Sequence, residues 1–373
     1  MSRQRRQITA RAPGKVILFG EHAINRGQPA LAASVGLYAT CRLAPSGRRG
    51  YRFRSRTPGG GDARTGEASR EEIVRLGREV DGFQAAEAYE GIRRLASADF
   101  FAPTKYILAS ALGEALPEGL EIEFGSEIPQ SCGLGSGGAA FAALACALAA
   151  WRGEGDGKRA DDRERLADWA HRGDVIAHGG VASRLDTQTS LCGGVIRYVA
   201  SRPPSGSGRQ AAGVRRQGGG LGEPVPCAAG LRLVIGNTGV VAATSEVNAR
   251  VREWLGASPV ARMRYFEAMG VIARNALAPL RNGDWARLGH LMTLNQVLLE
   301  KIGVSSPEIE RLIEASLEAS ALGAKLAGSG GGGIIIALVE AEQAPAVAAA
   351  ITRAGGEALT PELGVAGAGV SDE

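Results

Sequence analysis

A glycine-rich turn followed by a long apolar run is the first stretch whose residue types could do chemistry. Residues 133–138 read GLGSGG, and the apolar residues within 141–151 recur at helical spacing. Glycines let backbone N–H groups approach an anion closely, and the start of a helix adds unsatisfied N–H groups and a positive dipole end. This first glycine turn is therefore a candidate phosphate site, with an ordinary flexible loop as the alternative.

The first glycine turn also matches the G-x-G-x-x-G pattern of dinucleotide-binding folds, from Gly133 to Gly138. That fingerprint requires a tight connection from strand to turn to helix. Residues 125–132 separate the strand-like run 120–124 from the glycines, so we discount a dinucleotide site. The sequence also lacks the G-x-x-x-x-G-K-[ST] pattern of a Walker-type loop.

Two charged residues lie in segments that could hold them near a bound phosphate. Lys15 follows Pro13 and Gly14 between two strand-like runs, and we expect a turn there to fix its position. Asp186 lies among small residues in the stretch 178–190, which we interpret as a loop between ordered elements. Each has a plainer alternative, because most lysines are solvated and most aspartates in turns bond to the backbone.

A second glycine-rich stretch, residues 323–333 (GAKLAGSGGGG), runs into the apolar strand-like segment 334–339. Consecutive glycines outside a linker suggest a backbone pressed against a ligand or another turn. A wide hairpin loop is the alternative.

Composition narrows the class of protein. The 373 residues fit two domains or one large domain, and the net charge of +4 is spread among scattered arginines, which argues against nucleic acid as a partner. We find neither an export signal nor a membrane span and expect a cytoplasmic location. The five cysteines are dispersed and odd in number, and the four histidines show no zinc-type spacing.

The remaining periodicity predicts a chain that mixes sheet and helix. Alternating residues predict strands near 37–43 and 120–124, and a short apolar run predicts another at 231–235. Helical spacing appears at 71–80, 83–97, 161–177, 261–280, 285–302 and 307–322. We expect residues 55–69 to form an exposed loop and residues 201–224 to be an excursion or domain boundary.

Taken together, these stretches resemble the GHMP kinase family. Within it the resemblance is strongest to mevalonate kinases, through residues 12–22 (APGKVILFGEH), 323–333, and 295–299 (NQVLL) with 303–305 (GVS). The resemblance implies an α/β (α+β) fold of two domains, 1–225 and 226–373, with mixed sheets, helices and an ATP site in the cleft. A homodimer is among the assemblies that it allows.

The resemblance also implies ATP and Mg²⁺ as cofactors, the primary hydroxyl of mevalonate as phosphoryl acceptor, and a role for each matching residue. Asp186 and Lys15 correspond to the catalytic residues, and Glu21 and His22 to residues near the substrate. Asp174 and Ser136 correspond to metal ligands. The residues implied at the ATP phosphates are Gly133, Leu134, Gly135, Ser136, Gly137 and Gly138, and those near phosphates or substrate are Gly328, Ser329, Gly330 and Gly331.

The chemistry of alcohol phosphorylation needs the same residue types. A primary alcohol holds its proton tightly, so a carboxylate such as Asp186 must accept or orient that proton. A lysine can lower the effective pKa of the hydroxyl and neutralise charge on the transferred group.

Three positions depart from the family pattern. Gly137 stands where a second serine usually contacts magnesium, Asp174 replaces a glutamate, and the loop before Asp186 is one residue longer and carries Arg184. If Arg184 reaches a phosphate, the substrate is phosphomevalonate or another anion, whereas an exposed or ion-paired arginine is the plainer alternative. A sugar kinase is a related reading. The change at Gly137 leaves a third option, a non-catalytic sensor with the same fold.

Overall fold

A long antiparallel hairpin begins the chain in the computed structural model. Strand β1 (Ile8–Phe19) pairs with β2 (Pro29–Pro45), and residues 20–27 form the hairpin turn between them. The structure describes residues 7–56, 63–129, 132–154, 160–200, 222–241 and 244–371.

Two sheets and their helices account for most of these residues. The other strands are β3 (Gly50–Ser55), β4 (Arg64–Ala68), β5 (Gly119–Ser126), β6 (Val195–Val199), β7 (Glu223–Pro224), β8 (Leu233–Asn237), β9 (Gly323–Ala327), β10 (Ile334–Leu338), β11 (Glu357–Leu359) and β12 (Gly369–Ser371). The helices are α1 (Arg70–Ala85), α2 (Tyr89–Ala98), α3 (Ala102–Leu112), α4 (Ser136–Arg152), α5 (Ala160–Ala177), α6 (Leu185–Cys192), α7 (Thr244–Gly256), α8 (Pro259–Asn275), α9 (Leu277–Asn282), α10 (Trp285–Lys301), α11 (Pro307–Glu318) and α12 (Ala344–Arg353).

The first sheet has the order β12-β1-β2-β5-β3-β4; β6 also pairs with β2, and β7 pairs with β6. Strands β3 and β5 run parallel, and the other neighbours in this sheet are antiparallel. The last strand, β12, pairs with β1, so the end of the chain returns to the sheet that its beginning forms. The predicted boundary between residues 225 and 226 stays a prediction.

Helix α4 is the central helix behind the first sheet. It contacts β1, β2, α5 and α6, and its alanine-rich sequence lets it lie close to all of them. It ends at Gly153, whose left-handed conformation (φ 76°) is typical of a helix C-cap. Most of α4 is consequently buried.

The second sheet is antiparallel, with the order β11-β8-β10-β9. Its central strands β8 and β10 are almost wholly buried, which explains the apolar runs 233–235 and 334–338. Residues of β8 and β10 belong to the same apolar cluster as α4 and β1, so one core joins the two sheets. The fold is the predicted mixed α/β arrangement.

Several sequence expectations need correction. No turn interrupts the strand before Lys15: β1 is continuous, with a register shift between Pro13 and Gly14, because a bulge accommodates a proline that cannot donate to the sheet. Asp186 lies in the first turn of α6, not in a loop.

Other corrections concern element boundaries. The exposed loop expected at 55–69 contains β4, and residues 57–62 of that loop lie outside the described residues. The single helix expected at 261–280 is two helices, α8 and α9, joined at Ala276. The glycine stretch 323–333 contains β9, so the second glycine turn is residues 328–333. Most of the excursion predicted at 201–224 lies outside the described residues.

Among the helices that the structure describes, none combines the length and apolarity needed to cross a membrane.

Helix α10 and strand β9 approach each other at two glycines, which gives a test of the packing. A methyl group added at Gly323 would lie 2.0 Å from the carbonyl oxygen of Gly289. We expect Gly323→Ala to lower the free energy of unfolding by roughly 1–3 kcal/mol or more, because backbone must move. Urea unfolding measures this.

The matched control is Gly256→Ala at the exposed end of α7, where an added methyl group meets nothing within 4 Å. We expect it to leave stability unchanged or to raise it by at most about 1 kcal/mol. Equal unfolding curves for the two variants would contradict the close approach of α10 and β9.

Candidate active site

Lys15 connects the first glycine turn with Asp186. Its backbone N–H donates to the carbonyl oxygen of Leu134 at 2.9 Å, and its Nζ atom donates to that of Gly133 at 3.1 Å. The same Nζ atom lies 3.2 Å from Oδ1 of Asp186. The Lys15 side chain is 5% exposed, so the structure brings these predicted site residues together with little water around the ammonium group.

The first glycine turn leads directly into α4, as predicted. Gly133 and Gly135 have φ values of 89° and 73°, which glycine adopts without strain. Ser136 is the first residue of α4. The N–H groups of the first turn of a helix have no acceptor within the helix, so Ser136, Gly137 and Gly138 can offer theirs to an anion.

Asp186 is positioned by the contact between α4 and α6. A methyl group added at Gly138 would lie 3.1 Å from Cβ of Asp186 and 3.3 Å from its carbonyl carbon. The missing side chain at Gly138 therefore lets the start of α6 approach the start of α4. The Asp186 side chain remains 26% exposed, so a substrate can reach its carboxylate.

Glu21 and His22 lie side by side in the hairpin turn, and both are buried. His22 has a φ of 57°, which is uncommon for a residue other than glycine and is often found at functional sites. Burial lowers the pKa of His22 to about 4, so the ring is neutral at pH 7. Because Nε2 faces the carbonyl oxygen of Ser329 at 2.9 Å, we assign the proton to Nε2, which leaves Nδ1 as an acceptor.

The second glycine turn is held by backbone contacts with neighbouring loops. The N–H of Gly331 donates to Val304 at 2.7 Å, and that of Gly333 donates to Val240 at 2.8 Å. A methyl group added at Gly328 would lie 3.8 Å from Cα of Gly133, so the two glycine turns lie against each other. The consecutive glycines fit the prediction of a backbone pressed against another turn.

Asp174 and Arg184 are each paired with a charged or titratable side chain on α5 or just after it. Oδ1 of Asp174 lies 3.3 Å from Nδ1 of His178, and this carboxylate raises the pKa of His178 to about 10. The His178 side chain is 43% exposed, so water weakens the pair. Arg184 lies 2.5 Å from Oδ1 of Asp168 and is therefore paired within the protein rather than directed at a phosphate.

A metal ion would find few protein ligands here. Among the residues that the structure describes, no three His, Cys, Asp or Glu side chains converge in a way that could hold a metal. Mg²⁺ commonly keeps several waters and uses one or two carboxylates together with substrate phosphates. The buried Asp174 carboxylate and the Ser136 hydroxyl are oxygen donors of the kind that Mg²⁺ accepts.

Lys325 is a buried residue of the site that the sequence analysis did not single out. It lies in β9 and pairs with Glu21. The sequence does contain a signal for it: Lys325 is the one charged residue in a strand whose other residues are apolar or glycine. A lysine is unusual in a wholly buried strand.

Comparison with known proteins identifies the family of this chain. Residues 103–194 match the family model for the GHMP kinases N terminal domain, and residues 276–357 match the model for GHMP kinases C terminal. A mevalonate kinase from Aeropyrum pernix is 31% identical to this chain over 366 residues, covering 98% of each. The chain belongs to the GHMP kinase family.

Solved structures of mevalonate kinases are also similar. The L. major mevalonate kinase in complex with R-mevalonate superposes with a TM-score of 0.67, with 25% identity and 94% of each chain covered. The Methanococcus jannaschii mevalonate kinase has a TM-score of 0.72, with 20% identity, 96% of this chain and 99% of that chain covered, which supports the shared fold.

The close packing at Gly138 predicts a specific loss of rate. Gly138→Val adds atoms against Asp186, and a displacement of about 1 Å can cost about a hundredfold in rate. We expect kcat for phosphoryl transfer to fall by about that factor in protein that remains folded. A value of kcat within about threefold of wild type would contradict the positioning role of Gly138.

The matched control is Gly82→Ala in α1, where an added methyl group meets nothing within 4 Å. We expect its kinetic constants to equal those of the wild type.

Proposed function

We propose that this chain transfers the γ-phosphoryl group of ATP to the primary hydroxyl of mevalonate, giving 5-phosphomevalonate. The observation that carries the proposal is the Lys15 ammonium group, which lies between the Gly133 carbonyl and the Asp186 carboxylate. The similar mevalonate kinases, one of them a complex with R-mevalonate, support the choice of substrate.

The roles of the residues follow from this arrangement. Asp186 accepts or orients the proton of the attacking hydroxyl, and Lys15 neutralises charge that develops on the transferred group. The backbone N–H groups at the start of α4 bind ATP phosphates, and the second glycine turn lies beside them. Glu21 and His22 bind the substrate through acceptor atoms. Most of the rate enhancement then comes from positioning and electrostatics.

The proposed reaction also uses Mg²⁺. Bound Mg²⁺ would supply positive charge that offsets the charge of the ATP phosphates. We assign its protein contacts to Ser136 and to Asp174, directly or through water, because Gly137 has no hydroxyl to offer. To serve as a ligand, Asp174 would have to give up or share its contact with His178.

The alternatives are less well supported by the residues. Phosphomevalonate would be favoured if Arg184 bound its phosphate group, but the Arg184 guanidinium is paired with Asp168. Gly137, which lacks the serine hydroxyl, favours a non-catalytic sensor. The contact between Lys15 and Asp186, which the proposed catalysis needs, is nevertheless present. A sugar kinase has no specific observation in its favour. The cytoplasmic location and the homodimer remain predictions.

A substrate panel tests the proposed reaction. With ATP and Mg²⁺, we expect ADP formation with R-mevalonate and little with phosphomevalonate or a hexose. Asp186→Asn cannot accept a proton, so we expect kcat to fall by about 10²–10⁴-fold. Turnover with phosphomevalonate or a hexose but not with mevalonate would overturn the substrate assignment, and full activity of Asp186→Asn would overturn the mechanism.

A second test concerns the metal. A side chain at Gly137 has room, because apart from its chain neighbours and the backbone of its own helix, the nearest atom to its Cβ would be 3.8 Å away, on Phe141. We expect Gly137→Ser to lower the Mg²⁺ concentration needed for half-maximal rate, since it adds a hydroxyl ligand. Gly137→Ala is the matched control for the change in backbone freedom. Identical Mg²⁺ dependence in the serine and alanine variants would show that the position is not a ligand site.

A further inference from the structure

A fully buried ion pair connects the hairpin turn with the edge of the second sheet. The Nζ atom of Lys325 contacts Oε1 of Glu21, and neither side chain is exposed. The two residues are 304 positions apart in the sequence. An apolar pair of similar size often stabilises a fold as well as a buried ion pair does, so stability alone does not explain why these charges are here.

Neighbouring groups fix Lys325 in place. Its Nζ atom also donates to the carbonyl oxygen of Leu326 at 2.5 Å. The N–H of Leu326 donates to Oε1 of Gln296 at 2.9 Å, and the Gln296 amide donates to Glu310 at 2.8 Å. Strand β9 is therefore tied to α10 and α11, and the ammonium group has little freedom to move.

Glu21 has one oxygen left for a ligand. Its Oε1 contacts Lys325, while its Oε2 is buried and has no hydrogen-bond partner among the described residues. A buried acceptor without a donor is unfavourable, so a donor from a bound molecule would be stabilising at this position.

The same pair links the hairpin turn to the second glycine turn. Strand β9 ends at Ala327 and continues directly into Gly328. Ser329 in that turn accepts the hydrogen bond from His22, the neighbour of Glu21. Lys325 and Ser329 thus hold two consecutive residues of the hairpin turn from one short segment.

We propose that Lys325 is a positioning residue for substrate binding. It holds Glu21 so that Oε2 accepts a hydrogen bond from a hydroxyl group of the substrate, and it keeps the hairpin turn aligned with the second glycine turn. This inference rests on the proposed function, which requires an alcohol substrate. Lys325 acts through Glu21 and does not contact the substrate.

The test compares Lys325→Met, Glu21→Gln and the double variant. We expect each single variant to raise KM for mevalonate by about tenfold, with KM for ATP changed less than about threefold. Because both changes disrupt one unit, the double variant should resemble Glu21→Gln rather than the product of the two effects. Lys325→Met leaves the Glu21 carboxylate as a buried charge without its partner. If that charge prevents folding, the double variant, which lacks it, can still be tested.

The pH profile separates positioning from a purely structural role. Burial raises the pKa of Glu21, and Lys325 opposes that rise. In Lys325→Met this opposing ammonium is gone, and the weaker opposition from the Lys15 ammonium remains. Glu21 is then protonated at higher pH, and the fall of kcat/KM at low pH should begin at higher pH than in wild type. In the Glu21→Gln background, adding Lys325→Met should not move this fall.

The matched control is Lys105→Met in α3, which removes a partly buried lysine that lies 2.7 Å from Asp99. We expect it to leave both KM values unchanged. If Lys325→Met lowers only the melting temperature, or if the effects on KM multiply in the double variant, the positioning role is wrong.

The substrate that the wild-type enzyme turns over distinguishes a failure of this inference from a failure of the proposed function. Wild-type turnover of mevalonate with unaffected variants would reject only the role of Lys325. If the wild type instead uses another alcohol of the substrate panel, the proposed function fails, and the same variants are measured with that alcohol.

Discussion

The ammonium group of Lys15 is the interaction on which the rest of the site depends. It is almost excluded from water and is satisfied by one carbonyl oxygen of the first glycine turn and one carboxylate oxygen of Asp186. A buried charge must be paired or it opposes folding, so the turn and the carboxylate have to approach the same atom. The packing of α4 against β1 and of α6 against Gly138 produces that approach.

The second sheet contributes to the site through a second buried lysine. Lys325 meets Glu21, and Ser329 meets His22, so the hairpin turn of the first sheet is held from β9 and the segment after it. The two glycine turns also contact each other. The phosphate-binding and substrate-binding sides of the proposed site are therefore built by segments from both sheets. A substitution in either sheet should affect the binding of both ATP and mevalonate if it breaks one of these contacts, and otherwise it should not.

Much of the fold could be predicted because its elements have local signals. The spacing of apolar residues indicated α10 and α11, and glycines before an alanine-rich run indicated the start of α4. The continuous strand through Pro13 could not be predicted, because a bulge that absorbs a proline depends on the partner strand. The pairings of Arg184 with Asp168 and of Lys325 with Glu21 depend on tertiary contacts and have no local signal.

The identity of the phosphorylated product tests the central claim most directly. The account predicts that incubation with ATP, Mg²⁺ and R-mevalonate gives equal amounts of ADP and of a phosphate monoester on the primary carbon, which ³¹P and ¹³C NMR can identify. It predicts that Lys15→Met, which removes the ammonium between Gly133 and Asp186, forms the same product far more slowly. Phosphate on the tertiary hydroxyl, or ADP formation without a phosphorylated alcohol, would contradict the account.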